Sequence, residues 1–355
     1  MKTNTKTIVL TGGGTAGHVT PNINLNSELK KHFNNIVYIG SKTGIEKDLI
    51  TKNTDYDFKQ ITTVKLNRSN LLKNFLIPFK LSEGKKQATK ILKEVKPSIV
   101  FSKGGYVGLP VVLAAHKLKI PIVCHESDIT LGLANKIATK YASKICTNFK
   151  ITAEKNGEKF IHTSSPLKLS NLTKAEAKQK LNINTSKPIL LVTGGSLGSK
   201  AINDFIFQNI SELSKTFYVV HLTGKNNLNK KIHFDSYKQI EFSNDMPTLM
   251  RACDYAISRA GANTIIELFA NQILSIFVPL PKKISRGDQI ENAKLLHKNG
   301  LAELIYQDEL TLQKVQNSLN FLKNNNIFIK KQIKNANFED GTKKIINIIL
   351  QEKNT

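Results

Sequence analysis

The stretch TGGGTAGHVTPN, Thr11–Asn22, sets four glycines, a histidine and a proline directly after the apolar run Ile8-Val9-Leu10. One or two glycines suffice for a turn. Four of them beside a histidine suit a ligand that must approach the backbone, because residues without a Cβ leave amide N–H groups open to phosphate oxygens. His18 follows Gly17 and precedes Pro21, which puts it at or just inside a helix start. There the positive end of the helix dipole disfavours imidazolium, and a neutral imidazole beside a diphosphate can act as general base toward a hydroxyl. The plainer reading is a histidine that only hydrogen-bonds its own loop.

A second turn of this kind, ILLVTGGSLGSK, opens at Ile189. Neither turn is a P-loop, since no GK[ST] follows at the right spacing. Neither is a GxGxxG, and no acidic residue closes the strand ending at Ile39 to hold a ribose. Each alone is equally compatible with a tight turn. Two, one per half of the chain, point more firmly to phosphate.

The elements that must position these turns alternate regularly. Short β-branched runs at Thr7–Leu10, Ile36–Ile39, Ser98–Phe101, Ile120–Cys124 and Lys144–Thr147 read as strands. A second set follows at Ile189–Thr193, Phe217–Leu222, Gln239–Phe242, Tyr255–Ile257 and Leu274–Val278. Amphipathic segments such as Val111–Leu118 and Ile202–Leu213 lie between them. Strands apolar on both faces, alternating with helices, predict an α/β protein with parallel sheets covered on both sides. The restart at Ile189 predicts two Rossmann-like domains, residues 1–164 and 165–338, with residues 339–355 as a terminal helix that can pack back on the first. Thr173-Lys174-Ala175-Glu176 has the form of a capping box just past that boundary.

The formal charge of +25 over 355 residues calls for an anionic partner: phosphorylated substrate, nucleic acid or acidic membrane. Three widely spaced cysteines, with no CxxC, support neither a disulfide framework nor a zinc site. The N-terminal apolar run is too short for a signal peptide, and no stretch approaches the roughly 20 apolar residues of a membrane span. A cytosolic protein with at most peripheral membrane contact is therefore expected.

Six segments in order, GGGTAGHVTP, FSKGGYVGLPV, HESDITLGLANKIA, TGGSLGS, SRAGANTIIEL and GDQIENA, closely resemble the MurG family of bacterial N-acetylglucosaminyltransferases over essentially the whole chain. The resemblance implies a GT-B fold, two Rossmann-like domains with parallel sheets flanking a central cleft. It also implies transfer of N-acetylglucosamine from UDP-GlcNAc to the 4-hydroxyl of undecaprenyl-diphospho-N-acetylmuramyl-pentapeptide, with inversion, in peptidoglycan synthesis. On the acceptor side it marks Gly13, Gly14, Thr15 and His18, with Gly104, Gly105 and Tyr106 as a second loop. Glu126 stands as an alternative base, or simply as a cap on the following helix. On the UDP-GlcNAc side it marks Gly195, Ser196, Leu197 and Gly198 against the phosphates, and Ser243 and Met246 beside uracil. Asp288, Gln289 and Asn292 match the loop at the sugar hydroxyls.

In SRAGANTIIE, Gly261 permits a tight strand-to-helix turn, and the amides of Ala262, Asn263 and Thr264 can meet phosphate oxygens. Glu267, one helical turn on, can accept both ribose hydroxyls; apart from the motif it would read as a solvated helix residue. The chain departs from the family at the domain junction. Ser164-Ser165-Pro166-Leu167-Lys168 stands where Gly-Ser-Pro-Val-Arg or Gly-Asn-Pro-Val-Arg is usual. Lys168 would keep the charge of that arginine at the diphosphate and lose its bidentate fork.

Leu71, Leu72, Phe75, Leu76, Ile77 and Phe79 lie among Lys73, Lys80, Lys85, Lys86 and Lys90. Apolar residues rimmed by lysine suit shallow insertion into an anionic leaflet, and equally a helix packed on its own domain. With a membrane-bound acceptor the expected location is peripheral, on the cytoplasmic face of the plasma membrane, with other cell-wall synthesis proteins as further partners. Neither metal nor cofactor is expected. A glycosyltransferase for another lipid and a UDP-GlcNAc 2-epimerase share the fold. The epimerase has no use for the Lys/Phe stretch. A nucleic-acid-binding protein would leave the glycine turns unexplained, and no RNP-like motif is present.

Overall fold

The computed structural model describes residues 6–66, 71–195 and 197–353, without the side chains of 71–73. The chain forms two units: residues 1–167 together with 340–355, and residues 168–339.

In the first unit seven parallel strands pair in the order β3-β2-β1-β4-β5-β6-β7. They are β1 (Thr7–Thr11), β2 (Asn35–Ser41), β3 (Asp57–Ile61), β4 (Ile99–Ser102), β5 (Ile122–Glu126), β6 (Lys144–Thr147) and β7 (Phe160–His162). Period-2 alternation divides β1 between two cores. Ile8 and Leu10 join one face with Leu25, Phe101 and Ile345, Ile346 and Ile349 of the C-terminal helix Thr342–Glu352. Val9 joins the other with Ile39, Leu92, Val111 and Val112. The C-terminal helix is thus part of the first unit's core.

The second unit holds six parallel strands in the order β10-β9-β8-β11-β12-β13. They are β8 (Ile189–Thr193), β9 (Tyr218–Leu222), β10 (Tyr237–Ile240), β11 (Tyr255–Ser258), β12 (Leu274–Phe277) and β13 (Glu303–Leu304). The helix Lys174–Lys180 opens with a complete capping box, in which Thr173 and Glu176 satisfy each other's backbone N–H.

Three strands, β3, β7 and β13, are absent from the sequence reading, and all lie at sheet edges. The helix read as Val111–Leu118 begins earlier, at Gly105, and carries Pro110 inside it. The proline removes one N–H but does not stop the helix, because Val107, Val111 and Ala114 are buried on the same element.

The junction before the second unit is strapped by hydrogen bonds. Leu167 N donates to Asp340 Oδ1 at 2.8 Å, and Gly341 N donates to Ser165 O at 2.9 Å. Ser164 sits in the left-handed region at φ 66°, with its buried Oγ lacking a partner. That conformation suits the glycine usual in related sequences. Ser164→Gly is expected to raise stability by about 0.5–1 kcal/mol, the strain relieved exceeding the entropy added to the unfolded chain. An urea melt with unchanged m-value reads this directly; a lower midpoint would show that the serine is not strained.

Candidate active site

In the first unit the glycine turn after β1 packs against the start of the helix Gly105–Lys117. The contact requires glycine. A Cβ on Gly105, whose φ is +76°, would lie 2.4 Å from the Gly13 carbonyl oxygen and 3.4 Å from His18 Nδ1. A Cβ on Gly14 would strike the Tyr106 ring. Gly13, Gly14, His18, Gly104, Gly105 and Tyr106 therefore form one surface, with Thr15 exposed at its rim. Burial and the Glu46 charge raise the Tyr106 phenol above its ordinary value.

His18 ends a 3-10 turn, Ala16–His18, and precedes the short helix Thr20–Asn24 rather than beginning it. A five-residue helix supplies little dipole, so the expectation built on it loses its support. What orients the ring is Thr15, whose Oγ1 lies 3.0 Å from His18 Nδ1. When Nδ1–H donates to Thr15, the basic lone pair is on Nε2.

Glu126, at the end of β5, has both carboxyl oxygens engaged by its own loop and by Asn135. Its Oε1 accepts from Asp128 N at 3.0 Å, and its Oε2 accepts from Gly132 N at 3.0 Å and Asn135 Nδ2 at 2.9 Å. Burial pushes its carboxyl upward, and the Asp128 charge adds to the effect. These bonds brace the loop 127–132, the capping role that the sequence reading set beside that of a base. Glu46, unmarked by sequence, braces the other side: Ser41 N and the Ser41 hydroxyl donate to Oε1, and Gly14 N donates to Oε2 at 3.4 Å. The Gly14 amide therefore points inward. Asn135 carries a buried Oδ1 without a partner, against Gly104.

In the second unit, β8 leads into the turn at Gly195. Ser196 lies outside the described residues; Leu197 beside it is 88% exposed. A Cβ on Gly198, at φ +75°, would meet the Thr223 carbonyl oxygen at 2.1 Å, which fixes glycine there. Ser199 caps the helix Lys200–Thr216. After β11, Gly261 caps the helix Ala262–Ala270, whose first turn is Ala262-Asn263-Thr264. Glu267 follows on the same helix, half-buried and without a side-chain hydrogen bond among the described residues. Burial pushes its carboxyl up to about 7.

Arg259, unmarked by sequence, ties these loops together. Its Nη1 donates to Val278 O at 2.9 Å and Pro279 O at 3.1 Å, and its Nη2 donates to Ser199 Oγ at 2.7 Å and Gln307 Oε1 at 2.6 Å. Met246 begins the helix Met246–Ala252, and Ser243 Oγ accepts from Asp245 N at 3.2 Å. Asp288 pairs with Arg286 at 3.2 Å, and Gln289 Oε1 accepts from Leu280 N at 3.1 Å.

Asn292, read from the sequence at the sugar hydroxyls, lies beneath the loop that follows β11. Fully buried, it donates to Ala260 O at 3.1 Å and so supports the loop from below. Lys168 is exposed at the first position of the second unit.

The two halves match the models of the glycosyltransferase family 28 N-terminal domain, over residues 8–147, and C-terminal domain, over residues 189–348. The UDP-N-acetylglucosamine--N-acetylmuramyl-(pentapeptide) pyrophosphoryl-undecaprenol N-acetylglucosamine transferase of Clostridium botulinum (strain Alaska E43 / Type E3) is 46% identical over 349 residues, 97% of each chain. The protein of the same name from Clostridium tetani (strain Massachusetts / E88) is 45% identical over 349 residues, again 97% of each. Among solved structures, MurG of Acinetobacter baumannii superposes with a TM-score of 0.74 over 98% of this chain and 99% of that one, at 24% identity.

Proposed function

The chain belongs to glycosyltransferase family 28, and from that membership we infer that it moves N-acetylglucosamine from UDP-GlcNAc to undecaprenyl-diphospho-N-acetylmuramyl-pentapeptide. The observation that carries this is likeness at 46% identity along nearly the full length of a transferase of that name. The enzyme is a hexosyltransferase of peptidoglycan synthesis.

The residues divide the work by unit. On the first, the acceptor diphosphate lies at the turns around Gly13 and Gly104–Gly105. His18 Nε2 takes the proton of the muramyl 4-hydroxyl as its oxygen attacks the sugar C1. On the second, the first-turn amides of the helix Ala262–Ala270 and the turn Gly195–Gly198 hold the UDP phosphates while charge builds on the leaving oxygen. Glu267 accepts from the ribose hydroxyls, and Gln289 offers its amide N–H to the sugar. Attack from the face opposite UDP inverts C1 in a single displacement. Release of UDP that depends on added acceptor tests this reading. UDP release at equal rate without acceptor would overturn it.

Among the described residues no helix is long and apolar enough to cross a membrane. Contact with the cytoplasmic leaflet is instead peripheral, through the helix Ile77–Val95 and the turn before it. Phe75 is 78% and Phe79 66% exposed, their rings 6.5 Å apart, with Lys80, Lys86 and Lys90 exposed on the helix. The double variant Phe75→Ser, Phe79→Ser is expected to bind phosphatidylglycerol vesicles at least about tenfold more weakly, since each ring buries about 2 kcal/mol of apolar surface. Sedimentation with vesicles measures it, and unchanged binding by a folded variant would remove the patch from the membrane.

A further inference from the structure

Lys103 follows β4, and its side chain is fully buried. Its Nζ donates to His125 Nδ1 at 2.7 Å and lies 2.7 Å from Ser127 Oγ. His125 Nε2 lies 3.1 Å from the Ser164 carbonyl, which can only accept, so Nε2 carries the proton and the imidazole is neutral. Burial and the Lys103 charge hold His125 well below its ordinary value. No carboxylate lies within ion-pair distance of Lys103 among the described residues. A buried cation met, among the described residues, only by neutral acceptors is costly, and Lys103 leads directly into the turn assigned above to the acceptor diphosphate. A Cβ on Gly12 would lie 3.0 Å from Lys103 Cβ, and Gly104 and Gly105 are the next residues along the chain.

The second unit repeats the arrangement. Lys103 N donates to Thr11 O, and Arg259 N donates to Thr193 O. Ser102 pairs with Thr11 in β4–β1 as Ser258 pairs with Thr193 in β11–β8. Ser-Lys-Gly-Gly and Ser-Arg-Ala-Gly therefore occupy one position in the two units. Arg259 is also buried and, among the described residues, also bonded only to neutral oxygens. Each glycine-turn pair has one cation behind it.

We propose that Lys103 is a positioning residue for the acceptor. Its buried ammonium fastens the Gly104–Gly105 turn to β5 and supplies, from behind, positive charge that a diphosphate bound at the turn completes. The proposal rests on the acceptor-side reading above and adds a proton to it. In the free protein, burial lowers the Lys103 amine to about 7. The groups facing it are His125 and Glu126 on β5, Asp128 in the loop beyond and Cys146 on β6. His18 and Glu46 border the neighbouring turn. Glu126 and Asp128 raise the amine, against the larger effect of burial, and the Cys146 thiol is itself pushed up to about 12. A bound diphosphate adds two negative charges or more. The ammonium is then favoured, and binding above pH 7 takes up a proton from the buffer.

The test is calorimetry of farnesyl diphosphate binding to the full chain at pH 8, in Hepes and in Tris, whose ionisation enthalpies differ. Wild type is expected to take up a proton fraction. Lys103→Met and Lys103→Gln are expected to take up none and to bind about tenfold more weakly. In turnover the variants should raise the KM for a short-prenyl acceptor while the KM for UDP-GlcNAc and the kcat hold. Wild type alone should show acceptor KM rising with pH above 7. If Lys103→Met does not fold, Lys103→Gln, whose amide can still donate to His125, decides. Binding without proton uptake in wild type, or with wild-type uptake in a folded variant, overturns the proposal. Proton uptake by a wild type that transfers no sugar overturns the functional reading and leaves the cation's role standing.

Discussion

Replacing His18 by alanine is expected to lower kcat about 10²–10⁴-fold, the range that a positioned general base contributes, with little change in the KM for UDP-GlcNAc. The expectation follows from two contacts. Thr15 Oγ1, 3.0 Å from Nδ1, holds the ring in a tautomer whose lone pair is on Nε2. Gly105, bare of a side chain, lets the ring lie against the second turn. Thr15→Val should therefore lower kcat about tenfold, by freeing the ring rather than removing it. Glu126→Gln is the informative comparison. Its carboxylate is occupied by Asp128, Gly132 and Asn135, so the loss should fall on stability and acceptor KM. A His18→Ala enzyme with wild-type kcat would sink the assignment of the base.

Glu267 carries the second large effect, and its sign differs between binding and stability. A carboxylate that accepts from ribose hydroxyls contributes about 1.5–3 kcal/mol, so Glu267→Gln should raise the KM for UDP-GlcNAc about 10–100-fold. The same group is a burden to the empty fold. Its carboxyl is raised from 4.5 to about 7 by burial, at most about 3 kcal/mol, and less because the residue keeps some contact with solvent. Below pH 4.5 the group is protonated folded or unfolded, and burial costs nothing through ionisation. As pH rises to about 7 the unfolded chain ionises more readily than the folded one, and stability falls. Glu267→Gln should thus melt at a higher temperature than wild type at pH 8 and at the same temperature near pH 4.5. In wild type the KM for UDP-GlcNAc should rise as pH falls below about 7, and in the variant it should be high and flat. Equal melting temperatures at pH 8 would mean that the carboxylate is already compensated in the empty protein.

The central strands were legible because burial on both faces leaves continuous apolar runs such as Ile189–Thr193. The edges were not. β3, Asp-Phe-Lys-Gln-Ile, is exposed or half-buried except at Ile61, and β13 is only two residues long. The glycine turns were legible for a backbone reason: Gly105 and Gly198 take φ near +75° against a carbonyl oxygen. Lys103 and Arg259 were hidden by composition. Among 52 lysines and arginines, one more reads as a solvated charge, and only strand register places these two under the turns. The signal available was the repeat of Ser-Lys-Gly-Gly by Ser-Arg-Ala-Gly. Motifs located Glu126 and Asn292 but not the direction of their side chains. Both face inward and hold loops: Glu126 accepts from amides of the loop that follows it, and Asn292 donates to Ala260 O after β11.

The most direct test of the transfer reaction is the structure of its product. Purified enzyme, carbon-13-labelled UDP-GlcNAc and a short-prenyl muramyl-pentapeptide diphosphate are incubated together, and the products are resolved by mass and by NMR at the labelled C1. The account predicts UDP and a disaccharide joined β1→4, formed only when both substrates are present. Label that stays on UDP, whether unchanged or epimerised at C2, would contradict it.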